Sequence, residues 1–143
     1  MNTKWDFRFG ELSAMIATWS KDPSTKVGAV IANDHDHKVR GIGYNGFPRG
    51  VEDTNERYAH RPTKYKLVVH AEVNAILNAD GSVAGCTLYT TKFPCSECAK
   101  LIIQSGITEI VFGSEDARWA EDAESSRLMF NEAGVVYRQG VIK

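Results

Sequence analysis

The second half of this 143-residue sequence alternates between helical and extended patterns, and no other feature limits the choice of fold as much. Apolar residues spaced three and four apart predict helices, and short β-branched runs between glycine turns predict strands. The predicted elements are a helix from His70 to Ala79, a strand over Cys86–Thr91, a helix over Cys95–Gln104, a strand over Glu109–Phe112, a helix over Ala120–Glu132 and a strand over Val135–Arg138. Such a chain repeatedly crosses back over its own sheet, so parallel, right-handed connections are expected.

The first half adds one helix and two further strands. An amphipathic pattern predicts a helix from about Thr3 to Ser20, and the segments Val27–Ala32 and Lys38–Tyr44 read as strands. The polar link Asn33–His37 between them predicts a hairpin. With no internal repeat and no domain boundary in the sequence, residues 1–143 are expected to form a single α/β domain in three layers, α/β/α, around a five-stranded mixed sheet.

The segment Asn45–Lys66 shows no convincing periodicity. It contains Gly46, Pro48, Gly50 and Pro62 among many charged residues, so it is predicted to be one long loop. Loops of this length inside a compact domain are usually functional.

Composition excludes some classes of function. The formal net charge is −1, and phosphate neutralisation along a nucleic-acid strand needs clustered Lys and Arg, so no polynucleotide partner is expected. The longest apolar runs, such as Gly28–Ala32, are too short to cross a bilayer. We therefore expect no membrane partner and a cytoplasmic location.

Two short motifs carry the chemistry. His70-Ala71-Glu72 and Pro94-Cys95-Ser96-Glu97-Cys98 together offer one imidazole and two thiolates, which are three good zinc ligands. A site with three protein ligands leaves the fourth position for water, as catalytic zinc sites do. Both motifs fall at predicted helix starts, where the positive end of the helix dipole favours thiolates.

Glu72 completes the motif, because it lies two residues after His70 and is free of the metal. Hydrolytic deamination must take a proton from water and deliver protons to a ring nitrogen and a leaving amine, and one carboxylate can serve all these transfers. The pairing of His-x-Glu with Pro-Cys-x-x-Cys is the signature of zinc-dependent nucleobase deaminases. A closed structural zinc site would need a fourth ligand, and only Cys86, His35, His37 and His60 remain. Cys86 fits a buried strand better, and the histidines fit solvated loops.

Four blocks of sequence resemble the deoxycytidylate deaminase family of the cytidine deaminase superfamily, over nearly the whole chain. The blocks are Ser20–Ala29, Gly43–Gly50, His70–Ile76 and Phe93–Gln104. The resemblance implies the cytidine-deaminase-like fold and the zinc-dependent conversion of dCMP to dUMP and ammonia, which feeds thymidylate synthesis. In that reaction zinc-bound hydroxide attacks C4 of cytosine, with Glu72 as proton shuttle.

The resemblance also implies substrate contacts. Asn45 would orient the nucleotide through its two-sided amide, and Lys26, with Ser24, Thr25 and Arg49, would receive the 5′-phosphate. For the loop charges, a solvated surface remains the alternative. The Ala71 N–H would meet the pyrimidine carbonyl, and the Pro94 carbonyl would accept from the departing amine.

An aromatic stacking partner for the base stays open. The candidates are Phe93, Tyr89, Trp119 and Tyr137, and the spacing of Tyr89 favours core packing.

Regulation and assembly follow from the resemblance alone. Several members of the family are hexamers activated by dCTP and inhibited by dTTP, with Mg²⁺ beside the effector near the Gly-Tyr-Asn-Gly loop. This chain has that loop at Gly43–Gly46, so a homo-oligomer, a hexamer by resemblance, is expected. It lacks the additional Cys-rich insertion of some phage members, so one zinc per subunit is expected.

Three alternatives remain. In the first, the substrate is another small cytosine compound, such as cytidine, 5-methyl-dCMP or dCTP. In the second, the chain is a catalytically silent zinc-binding scaffold, but the intact Glu72 argues against this. In the third, the chain edits a polynucleotide, which the near-neutral net charge disfavours.

Overall fold

The computed structural model describes residues 3–140. Its helices are α1 Lys4–Ala17, α2 Asn55–Ala59, α3 Arg61–Leu67, α4 Ala71–Leu77, α5 Ser96–Gln104 and α6 Ala120–Ala133, with a short 3₁₀ turn at Ala117–Trp119. Its strands are β1 Gly28–Ala32, β2 Val39–Tyr44, β3 Thr87–Lys92, β4 Glu109–Ser114 and β5 Val136–Gln139.

The five strands form one mixed sheet in the order β2-β1-β3-β4-β5. The β1–β2 hairpin and the β1–β3 pair are antiparallel, whereas β3, β4 and β5 run parallel to one another. This confirms the five-stranded mixed sheet, the hairpin and the parallel pairing in the second half of the chain.

Both faces of the sheet are covered by helices. Along β1 the side chains alternate: Val30 packs with Phe9 and Ile16 of α1, and Ile31 packs on the opposite face. That opposite face carries the larger core cluster, to which α4, α5 and α6 contribute Ala75, Ile102 and Phe130. The three-layer α/β/α arrangement is therefore confirmed, with α1 covering one face of the sheet.

The helix α4 lies unusually close to β2. A Cβ added at Gly41 would come within 2.3 Å of the Ala75 carbonyl oxygen, and one at Gly43 within 2.4 Å of the Ala75 nitrogen. Because only glycine permits this approach, the two glycines of β2 fix the distance between the sheet and the helix that begins after His70.

The segment Asn45–Lys66 is not one long loop, and that prediction was wrong. It contains α2 and most of α3, with Thr54 capping α2 and Pro62 in the first turn of α3. Helices of five and seven residues are too short to show a hydrophobic period, which is why no pattern was visible.

Among residues 3–140, no helix combines the length and the apolar character needed to span a bilayer.

Candidate active site

Two helix N-termini bring the metal-binding side chains together. His70 is the N-cap of α4, Cys95 is the N-cap of α5, and Cys98 lies in the first turn of α5. The His70 Nδ1 atom is 3.2 Å from Cys98 Sγ and 3.4 Å from Cys95 Sγ. All three ligand atoms lie within 4.8 Å of one another.

This geometry fits zinc. Bonds of about 2.0–2.1 Å to nitrogen and 2.3 Å to sulfur in a tetrahedral site place nitrogen and sulfur about 3.5 Å apart. The two distances measured from His70 Nδ1 agree with that spacing to within a few tenths of an ångström. The one imidazole and two thiols are also the soft and borderline ligands that zinc prefers, and three of them leave one coordination position open.

The carboxyl group of Glu72 is buried beside these ligands, in the first turn of α4. In the metal-free protein, burial raises the pKa of Glu72 to about 7, although the neighbouring His70 opposes the shift. Burial disfavours the charged carboxylate because the surrounding protein solvates it poorly. Glu72 is therefore placed to exchange protons next to the metal position.

The two thiols differ in the metal-free protein. The pKa of Cys95 is lowered to about 4, chiefly because the Cys98 thiol donates a hydrogen bond to it, and His70 supports the same shift against the effect of burial. The pKa of Cys98 is raised by its contact with Cys95 and by burial. One thiolate is thus already favoured before metal binds.

His70, Glu72 and Cys95 form one wall of a cavity of about 440 Å³. Basic and aromatic residues lie on the other walls, together with several carboxylates. The lining includes Asp22, Thr25, Val27, Asn45, Arg61, Lys64, Tyr65, His70, Ala71, Glu72, Lys92, Phe93, Pro94, Cys95, Asp116, Arg118, Trp119 and Asp122.

The cavity has a buried floor and an exposed mouth. Glu72 and Ala71 are almost inaccessible to solvent, whereas Trp119 and Tyr65 are each about half exposed. The Tyr65 and Trp119 rings meet edge to face with centroids 6.2 Å apart, and Arg61 and Arg118 are exposed beside them. Of the metal-binding residues, Cys98 is buried, Cys95 is half-buried and His70 is exposed, so the metal position can be reached from the cavity.

The predicted site residues divide into two groups by position. Thr25, Asn45, Ala71 and Pro94 line the cavity with Glu72, His70 and Cys95, and Cys98 lies buried next to His70 and Cys95. The remaining three do not line the cavity; these are Lys26, Ser24 and Arg49. Each has another partner: Lys26 donates to the Ser20 carbonyl, Ser24 Oγ accepts from Lys64 at 3.0 Å, and Arg49 donates to Asn78 at 3.0 Å.

Asn45 uses its amide to join two parts of the chain. Its Oδ1 accepts from the Val27 N–H at 2.8 Å, and its Nδ2 donates to the Thr25 carbonyl at 2.8 Å. These bonds tie the end of β2 to the segment before β1. The side chain that the sequence assigned to the nucleotide therefore also shapes the cavity wall.

Sequence reasoning missed the basic residues of the cavity, which are Arg61, Lys64, Lys92 and Arg118. Two of them lie in α3, inside the segment that was read as a loop, and Arg118 lies in the 3₁₀ turn before α6. Only one signal was available, the clustering of Arg and Lys between residues 57 and 66, and it gave no orientation.

Of the four aromatic candidates, Phe93 and Trp119 line the cavity. The Phe93 ring already contacts Phe112, and Arg127 lies 4.8 Å above its centroid. Tyr89 is in the core, as its spacing predicted, and Tyr137 packs against Phe93 outside the cavity lining. Cys86 is likewise buried in the core.

Comparison with known proteins identifies the family. Residues 3–114 match the family model of the cytidine and deoxycytidylate deaminase zinc-binding region. The deoxycytidylate deaminase of Homo sapiens is 44% identical to this chain, and the alignment covers 98% of this chain and 82% of that protein. The deoxycytidylate deaminase of Mycobacterium phage D29 is 36% identical over 78% of this chain and 95% of its own length.

A solved structure supports the same fold. The crystal structure of the dCMP deaminase from cyanophage S-TIM5, in complex with dCMP and dUMP, superposes with a TM-score of 0.78 at 22% identity, covering 98% of this chain and 99% of that one. The family match, the relatives and the His-Cys-Cys cluster agree. This chain therefore belongs to the zinc-binding cytidine and deoxycytidylate deaminase family.

Proposed function

We propose that this protein hydrolyses dCMP to dUMP and ammonia. The observation that carries the proposal is the cavity in which His70, Cys95 and Cys98 surround one metal position and Glu72 is buried beside them. Relatives named deoxycytidylate deaminase, 44% and 45% identical, support the choice of substrate.

His70 Nδ1 and the thiolates of Cys95 and Cys98 are the groups that hold zinc. When bound there, zinc supplies Lewis-acid activation of a water molecule at neutral pH. Glu72 takes one proton from the attacking water and delivers it to N3 of cytosine. It then moves the proton of the new C4 hydroxyl to the amine, which leaves as ammonia while the C4 carbonyl of dUMP forms.

Backbone groups at the two helix starts read the base. Ala71 is the first residue of α4, so its N–H has no partner within the helix and is available to the pyrimidine carbonyl. The Pro94 carbonyl lies on the same cavity and accepts from the exocyclic amine. Together they favour a ring with an acceptor at C2 and a donor at C4, which is cytosine.

The phosphate belongs at the mouth of the cavity. With the base next to the buried Glu72, we assign the 5′-phosphate to the exposed guanidinium groups of Arg61 and Arg118, the latter of which also pairs with Asp116. Guanidinium binds phosphate through two parallel hydrogen bonds, so these residues replace Lys26 and Arg49 as our candidates for the phosphate site. Thr25 and Asn45 remain candidates for sugar contacts, since they line the cavity between the two ends.

The proposed function extends to assembly and control. Residues 1–143 form one domain that assembles into a homo-oligomer, a hexamer by family resemblance. Exposed apolar side chains support self-association, since Trp19 contacts Tyr44, and Tyr44 and Leu77 line a surface pocket of about 360 Å³. Regulation by dCTP and dTTP with Mg²⁺ is part of the same proposal, as is a cytoplasmic location, which suits three free thiols.

The deciding experiment is an ultraviolet assay of zinc-loaded protein with dCMP, beside deoxycytidine, CMP, dCTP and 5-methyl-dCMP. Reactions with added dCTP or dTTP test regulation, and light scattering measures the oligomer. The proposal expects turnover of dCMP that falls at least about a hundredfold in Glu72→Gln, with the zinc content unchanged. Zinc-bound protein that converts none of these compounds would instead be the silent scaffold.

A further inference from the structure

The backbone around Cys95 needs an external anchor. Cys95 has extended dihedrals (φ −70°, ψ 169°) as the N-cap of α5, and its side chain makes no capping hydrogen bond there. N-cap side chains normally satisfy free N–H groups of the first turn, but this thiol faces His70 and the metal position instead. The Cys95 thiol therefore serves the metal position, and the backbone beside it is held by other groups.

Asp122 of α6 anchors the first residue of this helix. Its Oδ2 accepts from the Ser96 backbone N–H at 2.8 Å, and its Oδ1 accepts from the Ser96 hydroxyl at 2.6 Å. Ser96 directly follows Cys95 and is the first residue of α5. One carboxylate from another helix thus holds the residue on the C-terminal side of the metal-binding cysteine.

Ser126 holds the other side of the same cysteine. It lies one turn after Asp122 on the same face of α6, and its hydroxyl donates to the Pro94 carbonyl at 2.9 Å. Ser126 is completely buried. A carbonyl oxygen has two lone pairs, so this bond leaves one of them for a ligand and fixes the direction of the group.

The contrast with His70 shows that the arrangement is specific to Cys95. The chain before His70 is held by a backbone bridge, in which Gly46 and Val69 exchange hydrogen bonds of 3.1 Å and 2.7 Å. For the turn at Cys95, the corresponding anchors are side chains of α6. A change in two side chains of α6 therefore reaches the metal site directly.

We propose that Asp122 and Ser126 are positioning residues, which hold Cys95 Sγ in place for zinc and the Pro94 carbonyl in place for the amine of the substrate. The role of Asp122 concerns the metal site alone. The role of Ser126 rests on the proposed function.

The metal half is tested by zinc competition with a chromophoric chelator and by the absorption spectrum of the cobalt-substituted protein. Asp122→Ala is expected to weaken zinc binding about 10- to 100-fold and to change the absorption bands of bound cobalt. Mutation of residues that support metal ligands from outside the coordination shell has effects of this size. Asp122→Asn keeps an oxygen acceptor for the Ser96 N–H and should bind zinc nearly as wild type does.

A second variant breaks the same contact from the other side. Ser96→Pro removes both donors to Asp122, while proline suits the first position of a helix and the extended dihedrals of Cys95 suit a following proline. It should weaken zinc binding as Asp122→Ala does. The matched control is Thr3→Ala, which removes the N-cap of α1, bonded to the Asp6 N–H at 3.2 Å, on the helix that packs against the opposite face of the sheet. It should lower the melting temperature and leave zinc affinity unchanged.

The inference about Asp122 is wrong if Asp122→Ala and Ser96→Pro bind zinc within about twofold of wild type and give the same cobalt spectrum. This measurement needs no substrate, so it stands even if the wild type converts no dCMP and the proposed function fails.

Ser126 is tested by steady-state kinetics on dCMP. Ser126→Ala should lower kcat about three- to tenfold with little change in KM. Without the hydrogen bond from Ser126, the Pro94 carbonyl is no longer held in the direction needed to accept a hydrogen bond from the leaving amine. Ser126→Cys, which keeps the shape and a weak donor, should lie between alanine and wild type. Unchanged kcat in Ser126→Ala, with an active wild type, would overturn this half.

Discussion

The ammonium group of Lys64 lies 2.7 Å from Asp22 Oδ2, and both side chains are buried in the wall of the cavity. Lys64 also donates to Ser24 Oγ, and Asp22 Oδ1 accepts from the backbone N–H groups of Ser24 and Thr25. This ion pair joins α3 to the segment before β1, so it holds together two walls of the active site. Its contribution depends on pH and on the presence of both partners.

Removing one partner should be costly. Lys64→Met leaves the Asp22 carboxylate buried with only its neutral donors, which typically destabilises a protein by about 3 kcal/mol or more. Urea unfolding at pH 7 measures the loss. Asp22→Asn combined with Lys64→Met leaves no unpaired charge, and this double variant should recover part of the stability; a double variant that is as unstable as the sum of both single changes would contradict the pairing.

Acid should weaken the same pair. Burial alone raises the pKa of Asp22, but hydrogen bonds from Lys64 and from the Ser24 and Thr25 N–H groups outweigh it, so the pKa lies below its ordinary value of 3.8. A carboxyl group whose pKa is lowered by folding stabilises the fold above its unfolded pKa and loses this effect as the pH falls through the folded pKa.

The difference in unfolding free energy between wild type and Asp22→Asn isolates this contribution, because zinc release at low pH affects both proteins. The difference should be constant above about pH 5 and shrink below about pH 4. A difference that shrinks between pH 7 and pH 5 would show that Asp22 is not the group responsible.

The sequence predicted zinc, and the His-Cys-Cys cluster was visible because its residues lie in short motifs at helix starts. His70–Glu72 and Pro94–Cys98 each fall within one turn of a helix, so local spacing determines which side chains each helix start presents. The contact between the two starts is tertiary, since His70 and Cys95 are 25 positions apart. The fold was equally visible in the alternation of helix and strand.

The basic residues of the cavity could not be found in this way, since their position depends on tertiary structure. Arg61 and Arg118 are 57 positions apart in the sequence, in a short helix and a 3₁₀ turn that carry no hydrophobic period. Lys26 and Arg49 were selected because they lie in recognisable blocks, yet their side chains make other contacts outside the cavity lining.

The effect of mutation on dCMP binding distinguishes the cavity residues Arg61 and Arg118 from Lys26 and Arg49, the phosphate-binding residues predicted from sequence. Arg118→Ala and Arg61→Ala should each raise KM for dCMP about tenfold or more, since a charge-assisted hydrogen bond is worth about 1.5–3 kcal/mol. Turnover of deoxycytidine, which lacks the phosphate, should not change. Initial-rate kinetics on both substrates give the comparison.

Arg49→Ala tests the expectation from sequence, and Arg40→Ala, which removes a surface ion pair with Asp80, is the control. Neither should raise KM for dCMP. If KM for dCMP rises only in Arg49→Ala, the phosphate binds instead in the pocket that Arg49 lines with Tyr44 and Leu77.

Removal of the metal should destabilise the fold. A bound metal at a thousand times its dissociation constant contributes about 4 kcal/mol, so treatment with a strong chelator should lower the melting temperature by about 10 °C. Cys98→Ala should have a low melting temperature with or without chelator and should contain no zinc. Cys86→Ala removes a buried thiol outside the site, and it should retain both zinc and the response to chelator.

The close approach of β2 and α4 gives the last prediction. In Gly43→Ala, the new Cβ would lie 2.4 Å from the Ala75 nitrogen and 2.5 Å from the Ala71 carbonyl oxygen. Both atoms belong to the backbone of α4, so the helix must move away from the sheet, at a cost of about 1–3 kcal/mol.

Because His70 and Glu72 lie at the start of α4, this shift should lower zinc affinity and kcat as well as stability. Gly46→Ala is the matched control in the same block: its new Cβ would meet only the Tyr58 hydroxyl, at 3.8 Å. Chemical unfolding, zinc competition and turnover of dCMP should all show lower values for Gly43→Ala than for Gly46→Ala. If Gly43→Ala loses stability but keeps wild-type zinc affinity and kcat, then α4 tolerates the displacement, and the glycines of β2 serve packing alone.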